Sequence, residues 1–190
     1  MAKVVTKGLV RFSYPNLFEP KAQAATPDKP QYSVTLLIPK TDTETLNAIK
    51  LAMAESIKDK WGDKKPASIK NPLRDGDLEK PDSEGYAGHY FINCKSPANR
   101  RPQVVGKGNI PIIDPDELHA GDYGLAAFTT FAYGDPSKGI PNGVSAGIDS
   151  IKLIKKGEKL GGSTANAADD FGSAFEDEAT DTSGGFDIGL

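Results

Sequence analysis

The sequence predicts a mainly β domain of the α+β or small-barrel kind, with one long helix, extended loops and a disordered acidic tail. Three observations carry that expectation. Runs of β-branched and aromatic residues alternate in polarity and are separated by Gly, Pro and Asn/Asp breakers. A single stretch, residues 41–62, has helical spacing instead. Residues 161–190 contain no Lys, Arg or Pro but seven acids, Asp169, Asp170, Glu176, Asp177, Glu178, Asp181 and Asp187. Such a segment cannot bury enough apolar surface to offset its ordering entropy, so it is expected to be disordered.

The first strand is expected over residues 4–14, ended by Pro15-Asn16. Its alternation places Arg11 and Ser13 on one face and Val10, Phe12 and Tyr14 on the other. Residues 19–30 read as a polar, Pro-rich connection. A second strand covers 32–38, with Tyr32, Val34, Leu36 and Ile38 on one face. Thr41-Asp42-Thr43-Glu44 then forms a capping box. Leu46, Ile49, Met53, Ile57 and Trp61 follow at steps of three and four, the apolar stripe of one helix. Lys58 and Lys60 complement its C-terminal dipole and Gly62 can cap it. Residues 63–87 are charged and loop-like. Strands return at 88–95, 102–105, 123–133 and 144–155. Between them lie Gly106-Lys107-Gly108, read as a hairpin turn, Asp114-Pro115-Asp116, Gly134-Asp135-Pro136 and Asn142-Gly143. One helix among many strands does not make a parallel βαβ sheet. The domain is expected to span residues 1–160 and the tail 161–190.

Composition removes several classes. The single Cys94 cannot form an internal disulfide. One Cys and two distant His (His89, His119) lack zinc-ligand spacing, so neither a metal nor another cofactor is expected. The first residues hold no long apolar run, and a cytoplasmic, soluble protein is expected. Nucleophilic motifs are absent, and Gly106-Lys107-Gly108 lacks the spacing of a phosphate-binding loop. Arg74-Asp75-Gly76-Asp77-Leu78-Glu79 matches no calcium loop and reads as a charged surface turn, although a carboxylate-dependent nuclease on Asp75, Asp77 and Glu79 is conceivable chemistry. The expectation is a binding protein, not an enzyme.

Charge indicates what it binds. Residues 1–160 carry 23 basic and 19 acidic residues, a net +4, and the tail carries −7. A weakly basic body with a polyanion at its end suits a body that binds another polyanion, with the tail competing for that surface. In the 88–95 strand, Phe91, Asn93 and Lys95 share the face opposite Tyr90, Ile92 and Cys94. An aromatic that stacks a base beside a cation that meets a phosphate is what a single strand of nucleic acid requires. On this reasoning Tyr14, Tyr86 and Phe91 are candidate base platforms. Arg11, Lys70, Arg74, Asn93, Lys95, Arg100, Arg101 and Lys107 complete the candidate groove. Trp61 and most of Tyr123, Phe131 and Tyr133 are expected to be packing, and Cys94 an inert core thiol.

These residues resemble a family of tailed-phage single-stranded-DNA-binding proteins. The resemblance rests on residues 10–21 (VRFSYPNLFEPK), 32–40 (YSVTLLIPK) and 73–77 (LRDGD). It continues through 85–96 (GYAGHYFINCKS) with Arg101-Pro102, Gly121-Asp122-Tyr123, and the closing segments 138–140 and 155–158. It implies a five-stranded OB-fold barrel decorated by a helix and long loops, and no catalysis. It also implies an acidic tail that contacts replication partners such as a polymerase or helicase. The expected function is to coat single-stranded DNA without sequence preference in the cytoplasm of an infected bacterium, as a monomer or a weak tail-mediated dimer. Candidate partner-binding residues of the tail are Asp169, Asp170, Phe171, Phe175, Glu176, Asp177, Glu178, Phe186, Asp187 and Leu190. Its tip, Ile188-Gly189-Leu190, differs from the Phe or Pro-Phe ending of the best-known tails of this kind. The alternative from another class is a β-rich phage structural or adaptor protein that uses the tail only for docking.

Overall fold

Alternating hydropathy builds a sheet that closes on itself. The structure, a computed structural model, describes residues 1–161; the expectations for the tail concern residues outside the described part. In chain order the strands are β1 (Ala2–Val5), β2 (Val10–Gln23), β3 (Thr26–Pro39), β4 (Leu73–Asp75), β5 (His89–Pro97), β6 (Gln103–Val105), β7 (Tyr123–Asp135) and β8 (Ile140–Lys155). The helices are α1 (Thr43–Trp61) and the short α2 (Gly76–Glu79). Sheet order is β1-β7-β2-β3-β5-β8-β6, and β7 also pairs with β8. The strands β2, β3, β5, β8 and β7 therefore form a closed ring of five, with β1, β4 and β6 attached outside it. This is the connectivity of an OB barrel. Most pairings are antiparallel; β8 runs parallel to β5 and β6.

The interior is filled from alternate positions of the five ring strands: Val10 and Phe12, Val34, Leu36 and Ile38, Ile92 and Cys94, Ala126 and Phe128, and Ala146, Ile148 and Ile151. Leu46, Ile49 and Ala52 of α1 join this cluster. The expected pairing of Val34, Leu36 and Ile38 on the inner face holds, as does the inner position of Cys94. Burial pushes the Cys94 thiol pKa far up, which keeps it protonated.

Several expectations are corrected. The first strand is broken into β1 and β2, because the Lys7 and Gly8 amides turn aside to donate to the Thr45 hydroxyl and the Asp42 carboxylate. Residues 19–30 are not a connection but the outer half of a long β2–β3 hairpin, closed where Gln23 pairs with Thr26. Its prolines are tolerated because the ladder is repeatedly interrupted there, with register shifts around Asn16, Lys21 and Gln23. The cap of α1 is Asp42, whose side chain accepts from the Thr45 amide at 3.1 Å, rather than Thr41. Gly62 closes the helix through its amide to the Lys58 carbonyl, as expected.

The buried stripe of α1 is rotated toward Thr45, Ala52 and Ser56, leaving Ile57 and Trp61 half-exposed. Polar residues can face the sheet because they have partners. Ser56 donates to the Ala52 carbonyl and shares a hydrogen bond with Thr130. The charged stretch 63–87 contains β4 and α2. Asn142-Gly143 lies within β8, and the β7–β8 turn is instead at Pro136–Lys138.

Candidate nucleic-acid interface

The outer surface of β3 and β5 is divided into a roofed half and an open half. At the roofed half, Leu37 and Phe91 are neighbours across the β3–β5 ladder, and Arg74 of β4 lies next to Phe91. The segment after α2 folds back over them. Tyr86 packs edge-on against Phe91, with ring centres 5.3 Å apart at 78°. Leu160 covers the same cluster. The Tyr86 hydroxyl donates to Ser13 at 3.2 Å. Tyr86 is 2 % exposed and Phe91 0 %, so neither offers a face to a base. Alternation assigned Phe91 to the correct side of the strand. It could not reveal that a segment distant in sequence returns to cover that side.

That segment is held in place by charge. The Lys40 ammonium sits 2.7 Å from Asp75 and 2.8 Å from Asp77. The Asp77 carboxylate also accepts the Gly88 amide. These contacts, the side-chain hydrogen bond to Lys40 foremost, hold both carboxyls below the ordinary range and raise the Lys40 pKa. Glu79 pairs with Arg74. The carboxylates singled out as conceivable nuclease ligands are thus engaged with cations.

Two cations border the roof. The Arg74 guanidinium lies 4.9 Å from the Phe91 ring centre. The Lys80 ammonium lies 4.9 Å from Tyr86, 5.6 Å from Tyr14 and 5.7 Å from Phe91. Lys80 was missed in the sequence because nothing local distinguishes it from any other loop lysine.

The open half is a cleft of about 300 Å³ lined by Tyr14, Asn16, Gln23, Ser33, Thr35, Asn93 and Lys95, among others. It brings together three of the expected residues, Tyr14, Asn93 and Lys95. Tyr14 arrives there through its backbone, not through alternation. At φ 48° it interrupts β2, and the ring is turned out to 66 % exposure instead of joining Val10 and Phe12 inside. Left-handed backbone at a residue other than glycine is costly and concentrates at functional sites. The cleft is polar and its side chains are joined by hydrogen bonds. Thr35 donates to Asn93 at 2.7 Å, Asn16 to Ser33 at 3.3 Å, and Lys95 to Gln23 at 2.8 Å.

The remaining expected cations are dispersed. Arg11 is committed to the fold: it donates to the Gly121 and Glu158 carbonyls and packs 5.2 Å from the Tyr123 ring. Lys70 is pinned by backbone bonds to Asn142 and Val144 beside the start of β8. Arg100 lies next to Gly147, the ladder neighbour of Lys95, and so extends the cleft. Arg101 packs over Phe18 at 5.6 Å. Lys107 occupies a short 3-10 turn, Lys107–Asn109, consistent with the expected tight turn. It lines a separate recess with Ile154 and Lys156. Tyr123, Leu125 and Phe131 do not pack inward. They lie on the outer side of β7, whose buried side is Gly124, Ala126, Phe128 and Thr130. The tail residues, from Asp169 to Leu190, are outside the described part.

A five-stranded barrel whose second and third strands carry a cleft with an exposed aromatic and several cations defines an OB-type oligonucleotide-binding module. The chain belongs to the family of the single-stranded-DNA-binding protein of Enterobacter phage Enc34, whose sequence pattern matches residues 2–182. It is 31 % identical over 182 residues to protein p50 of Acyrthosiphon pisum secondary endosymbiont phage 1, covering 89 % of this chain and 94 % of that one. Among solved structures it is similar to the Enc34 protein in complex with single-stranded DNA: TM-score 0.65, 25 % identity, 84 % of this chain and 88 % of the other. A C-terminally truncated form of the Enc34 protein gives TM-score 0.64 at 26 % identity over 83 % and 87 % of the two chains. The single-stranded-DNA-binding protein gp2.5 of bacteriophage T7 shares the fold: TM-score 0.55 at 15 % identity, over 96 % and 99 %.

Proposed function

We propose that this chain binds single-stranded DNA in the β3–β5 cleft without reading sequence, and coats it during phage DNA replication, recombination or repair in the cytoplasm of the infected bacterium. The observation that carries this reading is the open cleft with Tyr14, Asn93 and Lys95, bordered by Lys80, on the binding face of an OB barrel. Membership of the Enc34 family supports it, since the Enc34 protein has a solved structure in complex with single-stranded DNA. In this mechanism Tyr14 stacks a base through its exposed ring. Lys95, Lys80, Arg74 and Arg100 meet phosphates. The amides and hydroxyls of Asn16, Ser33, Thr35 and Asn93 contact bases or sugars without a fixed donor pattern, which suits sequence-tolerant binding. No bond is made or broken. Residues 161–190 recruit replication proteins through their acids and Phe residues.

The test is a gel shift of the full chain with oligo-dT, with and without magnesium. Binding without cleavage is expected. No binding would leave the adaptor reading, and magnesium-dependent degradation would indicate a nuclease. For the tail, immobilised full chain is expected to retain host or phage polymerase or helicase from an infected-cell extract, and a chain ending at Leu160 to lose that capture. Equal capture by both would remove the tail from the mechanism.

A further inference from the structure

We infer that Phe131, together with Arg100, forms a second base platform on the same DNA path, on the far side of Lys95 from Tyr14. The inference rests on the single-strand-binding reading above and extends it to residues of β7 and β8.

Ladder register places these groups. Residues paired across adjacent strands point to the same side of a sheet. Lys95 pairs with Gly147 of β8, and Gly147 pairs with Thr129 of β7. Phe131, two residues on from Thr129, therefore shares the outer side with Lys95, and its partner there is Ser145. Phe131 is 37 % exposed, whereas Phe128 of the same strand is fully buried in the barrel. The Phe131 ring is thus presented on the outer surface of the sheet rather than committed to the barrel core.

Gly147 makes the arrangement possible. A Cβ there would come within 3.2 Å of an Arg100 Nη and 3.8 Å of the Phe131 ring. The guanidinium and the ring thus flank bare backbone, with no side chain between them. Arg100 is oriented rather than free: its Nε donates to the Ser96 hydroxyl, which in turn donates to the Arg100 carbonyl. Its Nη2 lies 3.7 Å from Asp149, and that carboxylate also accepts the Thr129 hydroxyl at 2.8 Å. The pairing offsets that carboxylate, and the Arg100 side chain stays 59 % exposed. An exposed ring beside an oriented cation is the combination that binds a base and its phosphate.

The path has a length. Around the outside of the barrel, Tyr14 lies two strands from β5 in one direction and Phe131 two strands in the other, a contour of about 10 Å each way at about 4.8 Å per strand. A single strand wrapped along that contour of about 20 Å has room for about six nucleotides at about 3.4 Å each. That falls within the site sizes of about 4–16 nucleotides seen for one OB fold.

The experiment uses the full chain and fluorescently labelled dT12, with thermal melting run alongside. Phe131→Ala is expected to weaken binding about tenfold, the loss of one stacked base, with melting within a few degrees of the parent because the ring is partly exposed. Phe131→Tyr is expected to bind as the parent does. A second readout is independent of affinity. In a Trp61→Phe background, Phe131→Trp introduces an indole whose fluorescence should be quenched by dT12. Full affinity in Phe131→Ala, or no quenching at saturating dT12, overturns the inference. The control is Tyr14→Ala. If it weakens binding while Phe131→Ala does not, the second platform fails and the DNA-binding reading stands. If the parent chain itself does not bind dT12, the reading fails first.

Discussion

Tyr14 shows how much one backbone angle can decide. Its φ of 48° takes the ring out of the apolar series of β2 and hands it to the cleft. Replacing it separates strain from recognition. Tyr14→Gly is expected to leave stability unchanged or raise it by up to about 1 kcal/mol, since glycine adopts this conformation freely. It should also cost about 1–3 kcal/mol in oligo-dT binding, as for loss of one stacked base. Chemical denaturation and fluorescence anisotropy on the same sample check both. A loss of stability with unchanged binding would assign the ring to packing. Cys94 is the opposite case, a residue whose role alternation predicted directly. Fully buried and with its pKa pushed up, it should react with a thiol reagent such as DTNB only after unfolding. Rapid labelling of the native chain would contradict the barrel interior described here. Asn93 and Lys95 were legible for the same reason as Cys94: period two assigns each residue of β5 a side. Period two says nothing about what lies over that side, so it could not reveal that Phe91 is covered, nor that Tyr86, expected as an open loop aromatic, is the ring that covers it.

Among the elements, those with a strong local pattern were legible and those made by distant partners were not. The inner face of β3 and the existence of α1 follow from spacing alone. The rotation of α1 does not, because Thr45 and Ser56 face inward only where β7 and the turn after β1 supply hydrogen-bond partners. The outer half of the β2–β3 hairpin was hidden by prolines that are admissible only at breaks in its ladder. The roof segment was hidden because its order depends on Lys40, thirty-five residues from Asp75. This clamp has a pH signature. Asp75 and Asp77 are held below their ordinary value of 3.8, so they stabilise the folded form fully above that value. The contribution is lost as pH falls through their lowered folded-state values. Lys40→Met is therefore expected to melt earlier than the parent by a similar margin at about pH 7 and about pH 5, with the two curves converging below about pH 3. A gap that opens only in acid would mean the carboxyls were not the partners.

For the molecule as a whole, the ring closure was not legible. No local signal says that β7 meets both β2 and β8, and the resemblance to a known family supplied the barrel. The distribution of charge was legible only in part, since Arg11 is committed to backbone carbonyls while Arg101 and Lys107 line other surfaces. Four cations border the cleft, Arg74, Lys80, Lys95 and Arg100, with Arg74 and Arg100 exchanging their surface pairs with Glu79 and Asp149 for phosphates. At about −0.7 per phosphate neutralised on a single strand, log K should fall against log salt with a slope of about −3. Titration at several salt concentrations between about 50 and 300 mM checks this. A slope near zero would remove the cations from the binding path, and one near −6 would return the dispersed cations to it.

The pairing of β1 with β7 has a consequence for how the chain is made. Ala2 is aligned with Thr130 and Val4 with Phe128, so the first strand waits for a partner more than a hundred residues downstream. At about 5–20 residues per second of synthesis, that wait lasts on the order of ten seconds. During it, Val4, Val10 and Phe12 have no barrel to enter. Nascent chains stalled before residue 123 should be readily cleaved by protease, while those stalled well beyond residue 160 should resist it. The order in which the ribosome releases the strands thus sets the interval during which this protein is most open to aggregation.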